Sequence, residues 1–163
     1  MRNACLAALA LVFVSNPALA ADPNGDWLVN AKSAVIRIAP CGDALCGNIA
    51  WTKGPAGTDK NNPDPAKRNH PVVGLTILHN MKPAGANRWE GEIYNAQDGN
   101  TYSGSIALAG DNTLRIEGCV LGFLCGGENW TRAKCEQAAP VTTGTRSSAA
   151  PASTLSACRP VAP

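Results

Sequence analysis

The chain has 163 residues with 14 basic and 12 acidic side chains, a formal net charge of +2 and seven cysteines. No stretch concentrates the basic residues, which excludes the electrostatic footprint of a nucleic-acid binder. The one long apolar run, at the N-terminus, is shorter than the roughly 20 residues a bilayer span requires, so no membrane span is expected.

In chain order, residues 1–20 read as a secretory signal peptide. Arg2 supplies the positive end, Leu6 to Val14 is unbroken apolar sequence, and Ala18-Leu19-Ala20 is a small-x-small cleavage site. The mature protein is expected to begin at Ala21 and to be periplasmic or secreted, and Cys5 leaves with the signal. Residues 21–135 carry every Trp and Tyr and form the expected folded domain. Residues 136–163 are rich in Ala, Pro, Ser and Thr with little to bury, and read as a disordered tail.

Within the domain the hydrophobic period is two. Ala34, Ile36 and Ile38 share a face opposite Arg37, and Gly47, Ile49 and Trp51 share one opposite Asn48 and Thr52. Trp89, Gly91 and Ile93 oppose Glu90 and Glu92; Tyr102, Gly104, Ile106 and Leu108 oppose Ser103 and Ser105; Leu114, Ile116 and Gly118 oppose Arg115 and Glu117. Charged side chains fall on one face each time, as a one-sided antiparallel sheet requires. Asp98-Gly99-Asn100 and Gly110-Asp111-Asn112 supply turns between runs. Glycines 47, 91, 104 and 118 fall inside strands, where they permit sharp coiling or close backbone approach. Residues 73–81 read as a short helix. Lys53 to Pro71, with Pro55, Pro63 and Pro65 between, interrupts the meander with a loop long enough to be functional or mobile.

Gly25-Asp26-Trp27 opens the domain and Trp130-Thr131-Arg132 closes it. These ends suit a meander that curls until its last strand meets its first. Trp27 would then plug one end, with the Arg132 guanidinium on its face in a cation–π contact worth about 0.5–2 kcal/mol.

Cys41, Cys46, Cys119, Cys125, Cys135 and Cys158 remain after signal removal, an even set in a chain addressed for export, so disulfides are expected. Sequence alone does not choose the connectivity. Cys41 with Cys46, and Cys119 with Cys125, flank turns and are favoured locally, which leaves Cys135 and Cys158. Their spacings do not suit a zinc site.

The motifs form an ordered series: Gly25-Asp26-Trp27; Cys41-Gly42 with Leu45-Cys46-Gly47 and Ile49; Asp59-Lys60-Asn61-Asn62-Pro63; and Arg68 with Pro71, Gly74-Leu75 and Ile77-Leu78. Trp89, Gly91 and Ile93-Tyr94 follow, then Gly99 with Thr101-Tyr102, and finally Trp130 with Arg132. Over about residues 25–134 this series resembles the bacterial secreted family catalogued as domain of unknown function 2147. The resemblance implies an all-β fold, a small antiparallel up-and-down β-barrel of the lipocalin (calycin) type with about eight strands. In calycins the Gly-x-Trp and the late Arg are a structural signature. Asn95-Ala96, Asn100 and Cys125-Gly126-Gly127-Glu128-Asn129 depart from the family's usual pattern, all in turns and connections. The resemblance implies no activity.

Candidate site residues are sparse. The family pattern implies a contact role near the barrel mouth for Asp59, Asn62 and Arg68, since they recur on a loop rather than in the core. The structural alternative is that Asp and Asn satisfy turn backbone, with Arg68 pairing with Asp59 or Asp64. Trp51 is a core residue first and a pocket wall second. Alternation puts Tyr102 inside, as a polar handle for a cavity, and Tyr94 outside. His70 and His79 have no ligand-spaced partners, Glu90 and Glu92 face solvent, and no nucleophile or phosphate-loop motif is present. The expectation is a protein that is not an enzyme, uses no cofactor or metal, and binds a small hydrophobic ligand or acyl chain, with Arg68 or Tyr102 orienting a polar head. The alternatives are an envelope protein-interaction module with a side-chain-filled barrel, contacting its partner through residues 53–71 and the tail, and a hydrolase of unrecognised type.

Overall fold

Each run of period-two alternation is a strand, and the strands pair in chain order. A computed structural model describes residues 22–136 and 159–160. Its elements are β1 (Gly25–Leu28), β2 (Ala34–Cys41), β3 (Ala44–Thr52), β4 (Thr76–Pro83), β5 (Arg88–Asn95), β6 (Asn100–Leu108), β7 (Thr113–Val120) and β8 (Leu124–Arg132). These eight form a closed antiparallel barrel in the order β1 to β8. Two-residue strands β9 (Cys135–Glu136) and β10 (Arg159–Pro160) pair with each other separately. A single 3-10 turn, Pro65–Lys67, sits in the long loop, with the Asp64 side chain accepting from the Ala66 amide as its N-cap. The expected all-β up-and-down barrel is therefore the observed architecture. The proposed signal (1–20) and most of the tail (136–163), including Cys158 and hence any Cys135–Cys158 bridge, lie outside the described residues.

The inward set packs as one cluster that includes Trp27, Ile36, Ile38, Leu78, Ile106 and Leu114, all essentially inaccessible to solvent. Outward charges pair across strands: Asp26 and Arg37 are register partners on β1 and β2, and Arg37 donates through Nε and Nη2 to both carboxylate oxygens at 2.8 and 2.9 Å. Cys41–Cys46 and Cys119–Cys125 are bridged. The first staples the β2–β3 hairpin and the second the β7–β8 hairpin.

Two sequence expectations fail for the same reason. Residues 73–81 contain no helix; most of that stretch is β4. Leu78 and Met81 both point inward although they are three residues apart, because β4 bulges between them: Leu78 faces Gly47 and Met81 faces Leu45, and Asn80 takes φ 50°. That i, i+3 spacing mimics a helical face. Trp51 does not share a face with Ile49 either. Ile36 pairs with Ile49 but Val35 pairs with Trp51, so Ala50 is an extra residue that turns Trp51 to the outer wall and Thr52 to the inner one. There Trp51 is half-buried beside Val35, which is completely buried yet outside the interior cluster.

Candidate ligand site at the open end of the barrel

The two ends of the barrel differ. At one, the Arg132 guanidinium lies 4.3 Å from the centroid of the Trp27 ring. It donates to the carbonyls of Asn24 (2.8 Å), Asp111 (3.0 Å) and Asp22 (3.1 Å), while Trp27 Nε1 donates to Pro23 O at 2.8 Å. Strand β1 meets β8 only here, through Trp27↔Arg132 and Leu28↔Thr131. The connections 29–33, 53–75, 96–99 and 121–123 all lie at the opposite end.

That opposite end opens into a cavity of about 700 Å³, walled by Ile36, Ile49, Ile77, Ile93, Ile116 and Trp130 among others. A row of glycines crosses the inner wall beside it. Gly91 pairs with Gly104, Gly104 with Gly118, and Gly118 with Gly126, so four neighbouring strands lack a side chain at one level of the inner wall. At the first two positions the space is used by neighbours: a Cβ on Gly91 would lie 2.5 Å from His79 O, and one on Gly104 would run into the Ile93 side chain and Glu117 O. At the last two it is open. The nearest atom to a Cβ on Gly118 is Tyr102 Cβ at 3.6 Å, and a Cβ on Gly126 meets nothing within 4 Å.

One charged side chain reaches this apolar interior. Glu128 is the register partner of the inward Ile116, lines the cavity, and accepts a hydrogen bond from Trp130 Nε1 at 2.6 Å. It was absent from the sequence candidates. The available signal was its parity with Trp130: residues two apart on a strand share a face.

Of the five sequence candidates, only Tyr102 lines the cavity. It stands at the rim, and its hydroxyl donates to Asp98 Oδ2 at 2.6 Å. That bond raises the phenol's pKa and lowers that of the Asp98 carboxyl. Asp59, Asn62 and Arg68 instead lock the long loop to the outer face of β5. Asp59, 1% exposed, accepts from the Tyr94 hydroxyl at 2.8 and 3.0 Å and from Asn62 Nδ2 at 2.6 Å. Arg68 pairs with neither Asp59 nor Asp64; its Nε donates to Asn62 O at 2.8 Å, and Lys67 takes the exposed ion pair with Asp64. Tyr94 does face outward, but the loop buries it, and burial together with the Asp59 carboxylate pushes its phenol up to about 12. Asn61 completes the lock by donating to Gln97 O at 2.6 Å, and its carbonyl packs so closely on Gly99 that a Cβ there would collide with it. Trp51 lies outside the barrel, for the reason given above. Among the described residues, no three His, Cys, Asp or Glu side chains gather as a metal site.

Comparison with known proteins agrees with this architecture. A family model described as "Uncharacterized protein conserved in bacteria (DUF2147)" matches residues 25–132. Among solved structures, a Helicobacter pylori protein described as belonging to the lipocalin family is similar, with a TM-score of 0.64 and 21% identity over 69% of this chain and 84% of that one. No curated protein matches the chain.

Proposed function

The chain belongs to the DUF2147 family of bacterial proteins and folds as a lipocalin-like barrel, and from that premise we propose that it binds one small hydrophobic ligand or acyl chain rather than catalysing a reaction. The observation that carries this reading is the cavity of about 700 Å³ behind Gly118 and Gly126. Its size falls in the range of about 300–1,000 Å³ usual for small-molecule sites. A chain of about ten methylenes gains roughly 8 kcal/mol gross on burial. Association costs at least about 4 kcal/mol of that, which leaves millimolar or weaker binding from ten methylenes alone, and each further methylene adds about 0.8 kcal/mol. A filled barrel, which the envelope-module alternative assumes, would leave no such volume.

The ligand sits tail-first. Glu128 disfavours a second carboxylate at depth, so the acidic head of an acyl ligand stays at the mouth. Export to the periplasm or beyond is part of the proposal, supported by the signal-like residues 1–20 and by two disulfides. Native mass spectrometry of protein purified from its own host tests the reading. A discrete bound mass, and a thermal shift with fatty acids, are expected; a consistently empty barrel with no shift contradicts it.

A further inference from the structure

The hairpin β7–β8 ends in an apolar tip that the fold does not use. Residues 118–127 contain no charged side chain. Val120, Leu121, Phe123 and Leu124 are 46%, 80%, 71% and 61% exposed, and of the exposed large hydrophobic side chains among the described residues only Val73 lies elsewhere. Leu121 holds φ 53° and Gly122 φ 76°. A bulky residue in the left-handed region is strained where Gly or Asn is not, and Leu121 stays largely exposed. The tip is also held rigid: Cys119 and Cys125 are register partners and are bridged just below it. Its β7 side is unpaired, because β6 pairs with β7 only as far as Ser103↔Cys119.

We propose that this tip is a membrane-docking wedge that inserts into the interfacial region of an anionic lipid surface. Three observations favour lipid over a protein partner. The tip is narrow, far from the roughly 800 Å² per partner of a stable protein interface, whereas a bilayer accepts a small protruding apolar element and needs no shape complementarity. The connections at the same end of the barrel carry the exposed Lys32, Lys53, Lys60, Lys67 and Arg68 against only Asp64 and Asp98 as exposed acids, which suits anionic headgroups. Val120 and Leu124, at the base of the tip, also line the cavity, so apolar surface runs unbroken from the wedge into the barrel mouth.

This goes beyond ligand binding and can fail separately from it, since Leu121 and Phe123 do not line the cavity. The test is co-sedimentation of the purified protein with phosphatidylcholine vesicles containing phosphatidylglycerol. Two variants accompany it: L121S/F123S, and Phe123→Trp as an emission reporter. Binding that weakens with salt, a loss of about tenfold or more in L121S/F123S at unchanged thermal stability, and a blue shift of the added tryptophan on vesicle addition are expected. Absence of vesicle binding, or equal binding by L121S/F123S, overturns the proposal. So does a concentration-dependent dimer that L121S/F123S dissolves, because the tip then meets a second copy of this chain.

Discussion

Tyr94 gives its hydroxyl to both carboxylate oxygens of Asp59 across 35 residues of chain, and so fastens the long loop to the barrel wall. Tyr94→Phe removes a donor and leaves a buried carboxylate with Asn62 as its remaining side-chain partner. A loss of about 1–3 kcal/mol is expected. Chemical denaturation gives the stability, and limited proteolysis within 53–71 reports loop release. Unchanged values of both would show that the bond does not hold the loop.

The same pair predicts an alkaline transition. The folded-state pKa of Tyr94, about 12, lies above the ordinary value of 10.0. The folded protein therefore holds this proton more tightly than the unfolded chain does. The stability so gained is complete below about pH 10 and is lost as pH rises through about 12. Phenolate absorbance of the chain's two tyrosines should show a step near 12 for Tyr94 while the protein is folded, and Tyr102 is also raised, by its bond to Asp98. The Tyr94→Phe variant should lose the step near 12. A midpoint at 10 for Tyr94 in the folded state contradicts the geometry.

Gly99→Ala tests the loop from its other anchor. The added Cβ collides with Asn61 O, at a backbone φ of 74° that favours glycine. The expected cost is roughly 1–3 kcal/mol. Combined with Tyr94→Phe the losses should fall short of additive, because each variant already releases the same segment. Strict additivity in the double mutant would mean that the two anchors hold independent pieces of the loop.

Arg132 closes the barrel through the Trp27 ring and three carbonyls. Arg132→Ala should cost about 3 kcal/mol, given roughly 1.5–3 for a charge-assisted hydrogen bond and about 0.5–2 for the ring contact. Arg132→Lys should recover only part of this, lacking the planar fork. Ligand affinity should stay unchanged, since the clasp stands at the closed end. Equilibrium unfolding and a ligand titration on each variant separate the two effects.

The strands were legible wherever alternation ran unbroken, as in β5, β6 and β7. Ala50 and Asn80 show why the rest was not. One inserted residue reverses the face of everything after it, and nothing local marks Ala50 as the insertion that turns Trp51 outward. Long-range partners were hidden too. Asp59, Asn62 and Arg68 suit ligand contact and loop anchoring equally well by residue type, and the choice depends on Tyr94, which is remote in sequence. Glu128 was readable by parity with Trp130, but Gly126-Gly127 before it broke the apolar pattern that would have drawn notice to its face.

Gly118 lines the cavity, and a Cβ there meets only Tyr102 at ordinary contact distance, so filling that position tests the central claim most directly. The Cβ of Gly118→Leu meets no backbone atom and lies 3.6 Å from Tyr102 Cβ. In a fluorescence titration with a polyene fatty acid, the native protein should saturate at one ligand per barrel, and Gly118→Leu should bind about tenfold or more weakly at unchanged thermal stability. Equal binding by the two proteins, or no saturable binding by either, would contradict an apolar ligand held inside the barrel.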